Sequence, residues 1–127
     1  RKDNYIEYNN YNKNFILFQN LKKKWNKDKE ILERNLQINR KVFLFGAHVF
    51  SQLALCLLDK EYKNKITGII DNDIYKNNKY LYGTKFKVMS PHVLKKFDKP
   101  YIFLRAGPHT LEIKKQCLKI NKESKFI

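Results

Sequence analysis

The sequence predicts an α/β fold: a Rossmann-like, doubly wound parallel sheet of about 4–5 strands preceded by a long N-terminal amphipathic helix. Three observations predict it. From Lys41 onward, short continuous apolar runs recur, as in strands buried on both faces. Each run is followed by a turn and then by a segment of helical period. Ahead of them, residues 11–40 carry an apolar stripe at steps of three and four, with no Gly or Pro inside it. The chain therefore divides into a polar tail and connector helix (1–40) and a Rossmann-like domain (41–127).

The elements follow in order. The first ten or so residues are polar and expected to fray. Tyr11, Phe15, Phe18, Leu21, Trp25, Ile31, Leu32 and Leu36 make the stripe of one long helix, or of two with a break near Asn26–Asp28. A stripe so aromatic must pack on the following domain or on a partner. Val42–Phe45 is the first strand and ends in Gly46. Val49–Leu58 is a helix, and Ile66–Ile70 is a second strand closed by Asp71-Asn72-Asp73. A polar loop from Tyr75 to Tyr82 leads to Gly83 and to a short strand, Lys85–Val88. Ser90-Pro91 reads as an N-cap with Pro at N1, opening a helical turn that runs to about Phe97. Tyr101–Leu104 is the next strand, and Thr110 is placed to cap a helix to about Ile120. Lys125–Ile127 makes a last strand.

With 127 residues this is one domain, and 43% hydrophobic content is enough for a core. The net charge is +15, spread as +5 over residues 1–40 and +10 over the rest. Only four of the 27 basic residues are Arg, the usual reader of bases, and Asn is as conspicuous as Lys, at 14 residues. That mixture reads as a solvated surface and argues against nucleic acid as the partner, although a positive field helps attract an anionic small molecule. No apolar run approaches the ~20 residues that span a bilayer. The Arg1-Lys2-Asp3-Asn4 start has no apolar segment of a leader. A cytoplasmic protein with no membrane partner is expected. Two cysteines, Cys56 and Cys117, exclude a disulfide scaffold and read as core thiols.

In an open parallel sheet, ligands bind outside the carboxyl ends of the strands. Three such ends are chemically equipped. Gly46-Ala47-His48-Val49-Phe50-Ser51 stands where a dinucleotide fingerprint would lie, but only Gly46 matches. His48 occupies the second glycine position and Ser51 the third. His48 would either block a pyrophosphate, contact a phosphate itself, or simply cap the turn, while the helix start offers N–H groups to an anion. Asp71 suits a ribose hydroxyl pair, or else belongs to an Asx turn with Asn72 and Asp73. Arg105, Gly107 and His109 close the Tyr101–Leu104 strand. An Arg there needs an anion, either a ligand phosphate or Asp71 across the crevice. Tyr75, Tyr80 and Tyr82 could stack on a base. No catalytic residue and no metal-ligand spacing is evident.

Val42-Phe43-Leu44-Phe45-Gly46-Ala47-His48, Ile69-Ile70-Asp71-Asn72-Asp73, Leu81-Tyr82-Gly83-Thr84, Val88-Met89-Ser90-Pro91 and Leu104-Arg105-Ala106-Gly107 come in an order that resembles a known family. It is that of the C-terminal Rossmann-like domain of SAM-dependent methyltransferases of the sugar C-methyltransferase type. The skeleton is also similar to the nucleotide-sugar-binding domain of bacterial sugar O-acyltransferases and to related domains of glycan-biosynthesis enzymes. The resemblance implies a nucleotide or nucleotide-sugar as ligand and other domains of a parent transferase as partners. It implies S-adenosylmethionine as the parent family's cofactor, held by a domain not present here. It carries over no catalytic residue, only the binding role of the Gly46-Ala47-His48 turn and of Asp71. The chain would then be a fragment of a larger enzyme or a relic of one. A different class remains open: an interaction module, or a homodimer paired through the 11–40 helix.

Overall fold

A computed structural model describes residues 10–127. The frayed tail expected before Tyr11 falls, apart from Asn10, outside the described residues. Helix α1 spans Tyr11–Gln37 without a break, 27 residues or about 40 Å of rod. It stops at a left-handed Asn39 (φ 57°), where the Asn39 N–H bonds the Leu36 carbonyl and the Arg40 N–H bonds that of Asn35. This is a Schellman stop, with Asn in the place usually taken by Gly.

The remaining elements are β1 (Val42–Phe45), α2 (Val49–Leu57), α3 (Lys60–Lys65), β2 (Gly68–Ile70), β3 (Val88–Met89), a 3₁₀ turn (Pro91–Lys96), β4 (Tyr101–Leu104), a second 3₁₀ turn (Gly107–His109), α4 (Thr110–Ile120) and β5 (Lys125–Phe126). The strands form one five-stranded sheet in the order β3-β2-β1-β4-β5, and every pairing is parallel. The fold is therefore the Rossmann-like α/β architecture that the apolar runs predict. The order reverses at β1, so the switch point lies between β1 and β4.

Because a strand alternates its side chains, the sheet sorts its residues into two cores. Val42, Leu44, Ile69, Val88 and Phe103 face Leu32 and Leu36 of α1 and Ala54 and Leu55 of α2. Phe43, Phe45, Ile70, Ile102 and Leu104 face Leu94 of the first 3₁₀ turn and Cys117 of α4. Both faces are covered, as a doubly wound sheet requires. Gly68 makes room in β2, since a Cβ there would run into the Met89 methyl.

Three expectations need correcting, and a fourth, the packing of the α1 stripe on the domain, is met in part. Lys85–Lys87 is not part of β3: Lys87 bridges back, antiparallel, to Tyr80, which closes the 80–87 loop on itself. Thr110 does not cap α4. His109 holds the cap position and the Thr110 hydroxyl donates to the Gly107 carbonyl (2.8 Å). Cys56 is exposed and only Cys117 is a core thiol. The stripe of α1 packs only in part. Leu32 and Leu36 are buried, whereas Phe15 and Phe18 stay about half exposed (50% and 51%). No described helix is long and apolar enough to cross a membrane.

Candidate functional site

The turn between β1 and α2 is built around Gly46. Its φ of +101° is open to Gly alone, and a Cβ there would fall inside the His48 ring. The Gly46 N–H extends the sheet to the Ile70 carbonyl (2.7 Å), while its own carbonyl accepts the Ser51 hydroxyl (2.5 Å) and the His48 N–H (3.0 Å). His48, in an extended conformation, caps α2: its Nδ1 accepts the Phe50 N–H (3.3 Å), and its ring meets Phe50 edge to face at 5.6 Å. The Ser51 and Gln52 N–H groups return to the His48 carbonyl. The Ala47, His48, Phe50, Ser51 and Gln52 N–H groups that a pyrophosphate would seek here are engaged, and the imidazole stands over the glycine.

Asp71 supports the same turn from β2. Its Oδ2 accepts the Ala47 N–H (2.6 Å) and Lys76 Nζ (3.2 Å), and its Oδ1 accepts the Asp73 N–H (2.8 Å). Burial alone would raise its pKa. The Asp73 and Ala47 N–H groups and then Lys76 outweigh burial, so the carboxyl is held below its ordinary value. Asp73 repeats the motif by accepting the Tyr75 N–H (2.9 Å). Asp71 is thus the anchor of an Asx turn, its Oδ2 accepting two donors and its Oδ1 one.

Arg105 does not reach Asp71. It pairs with Asp28 of α1 (Nη2–Oδ1 2.7 Å, Nε–Oδ1 3.1 Å). Its Nη1 donates to the carbonyls of Leu104 (2.9 Å) and Ile127 (3.0 Å), and its plane lies 4.1 Å over Phe103. The anion that this Arg requires is supplied by the connector helix.

Two clefts open on the carboxyl side of the sheet, where one pocket was expected. The first, of about 290 Å³, lies at the β1/β4 switch and is walled by Trp25, Asp28, Phe50, Leu53, Arg105 and Gly107. The second, of about 220 Å³, lies over β1, β2 and β3 and is lined by Ala47, His48, Lys76, Lys79, Tyr80 and Tyr82. Gly46, Ser51 and Asp71 line neither cleft. His109 lines neither cleft; it lies 4.0 Å from Glu112 in a largely exposed pair. Lys76, Lys79, Trp25 and Asp28 were not among the site residues expected from the sequence, Trp25 being read only as part of the helical stripe. Nothing distinguishes two lysines in a Lys-rich chain, but Asp28 could have been found as an acid breaking the apolar stripe. Among the described residues, no three His, Cys, Asp or Glu side chains are grouped to hold a metal. The crowded turn does not suit S-adenosylmethionine: the ring at position 48 fills the approach to Gly46, and the acid after β2 is engaged.

Residues 38–127 match the family described as C2185-like, N-terminal. The chain belongs to that family. The match covers the whole sheet of this C2185-like domain and leaves α1 outside it. It carries no link to the sugar C-methyltransferases. No curated protein and no solved structure matches the chain.

Proposed function

We propose that this C2185-like domain binds a nucleotide or nucleotide-sugar in the cleft over β1–β3. It would act there as the substrate-holding part of a sugar-modifying transferase, of which a SAM-dependent sugar methyltransferase is the leading case. The carrying observation is the composition of that cleft. Lys79 supplies positive charge beside the Lys76–Asp71 pair, His48 a polar ring, and Tyr80 and Tyr82 exposed aromatic faces. A diphosphate is met by side chains here and not by the N–H groups of the turn. The chain contributes no reacting group. Its binding energy is taken from the non-reacting part of the substrate and orients the reacting end. The sugar would extend past the turn toward the β1/β4 cleft.

Thermal shift with UDP-, dTDP- and GDP-sugars tests the reading. A ligand at about 100 times its Kd stabilises by about 2.7 kcal/mol, which raises Tm by several degrees. Lys79→Ala should remove the shift without disturbing Asp71, which Lys76→Ala would unpair. No shift with any of these ligands at millimolar concentration sinks the proposal.

The exposed start of α1 favours a second reading, in which the helix is a contact surface. Phe15, Ile16, Leu17 and Phe18 are all at least half exposed. If two copies pair through this turn, sedimentation equilibrium gives a dimer, and Phe18→Asp returns a monomer.

A further inference from the structure

We propose that single-stranded nucleic acid binds along a groove that continues the β1–β3 cleft past Tyr82. This does not rest on the nucleotide-sugar reading. That cleft and a larger open groove beside it share Gln52 and Tyr82 as lining residues, so the two adjoin at the Gln52–Tyr82 contact and run along α2, α3 and the 80–87 loop. Lys79 lies at one end, and Lys60, Lys63 and Lys85 at the other. None of these four is in an ion pair among the described residues. The chain has 12 acidic residues, yet none lines the cleft or the groove, Asp71 reaching them only through its pair with the lining Lys76. A merely solvated surface would interleave both signs. A one-signed groove tracks a phosphate backbone.

The aromatic residues select the kind of polyanion. Tyr82 is 89% exposed and Tyr80 62%, while Leu81 between them is buried, so both rings stand on the outer side of the loop. The loop is held in place. The Tyr82 carbonyl accepts Gln52 Nε2 (3.1 Å), the Leu81 N–H bonds the Phe86 carbonyl (2.9 Å), and the Thr84 hydroxyl donates to the Leu81 carbonyl (2.8 Å). Lys87 Nζ covers one face of Tyr80 at 5.6 Å. Two exposed rings on a backbone held in place, beside a lysine track, offer a platform for unpaired bases, which a duplex keeps stacked inside. With Arg scarce, phosphate is met here by lysine point charges and bases by tyrosine faces, without bidentate reading of base edges.

Fluorescence anisotropy of labelled dT12 and rU12 at 50 mM salt tests this, the two probes distinguishing DNA from RNA. Binding of either probe with strong salt dependence is expected. Tyr82→Ala should weaken it about tenfold. The double variant Lys60→Glu, Lys63→Glu should weaken binding at least tenfold and flatten the salt slope by about 1.4. Circular dichroism verifies that these surface variants fold. The double variant should keep any thermal shift with nucleotide-sugars, which separates the two proposals. Two outcomes overturn this one: no anisotropy change with either probe up to 100 µM protein, or inorganic polyphosphate competing as well as the oligonucleotides with Tyr82→Ala without effect.

Discussion

Single residues set the chemistry of the turn, and Asp71 carries most of it. It ties the Ala47 and Asp73 backbones and Lys76 to one carboxylate. Asp71→Asn should cost about 1–3 kcal/mol at pH 7, because the groups it satisfies lose a charged acceptor. A carboxylate with a lowered folded pKa stabilises fully above its unfolded value of about 3.9, and that stability is lost as the pH falls through the folded value. Urea unfolding of the wild type should therefore weaken steeply below about pH 4, and of Asp71→Asn less steeply. Cys117 lies at the other extreme: burial pushes its thiol up to about 11. It stays protonated at pH 8, and its burial contributes stability that is lost only as the pH rises past the ordinary thiol range. A disulfide reagent at pH 8 should modify Cys56 at once and Cys117 only after denaturant is added. Gly46 and Asp71 were legible because a sharp turn and a strand-end acid leave marks in sequence. Which oxygen faces which N–H does not, so Asp71 read equally as ribose ligand or turn anchor.

Among the elements, α1 is the one whose role the sequence half disclosed. Its stripe announced a helix in need of cover, but periodicity cannot say where along the rod the cover stops. Here the C-terminal half packs through Leu32 and Leu36, and the Arg105–Asp28 pair pins the helix to the carboxyl end of β4. Asp28→Ala should cost about 1–3 kcal/mol, since it leaves a half-buried guanidinium short of its anion. Hydrogen exchange should then rise along α1 more than in the sheet. Leu36→Ala, at a fully buried site, should cost about 2–5 kcal/mol. Strands β1 and β4 were readable to the residue because a strand buried on both faces is a continuous apolar run. Helix α3 was not, since Lys60–Lys65 has no apolar period. Asn39 was missed as a stop because any residue may follow a helix, and only its backbone angle marks this one.

At the scale of the molecule, the parallel sense follows from alternating buried segments joined by crossovers, which is why the architecture was readable in the sequence, whereas the strand order was not. The clefts were not, because they depend on how far α2 and the 80–87 loop stand from the sheet. That distance is a property of packing and not of any motif. The same topology settles one matter of behaviour at high concentration. The outermost strands, β3 and β5, are only two residues each. Neither margin presents a row of unpaired N–H and C=O groups long enough to template a further strand. Native-state growth into cross-β fibrils has no starting rail, so crowding should drive these molecules together through side-chain surfaces or leave them apart.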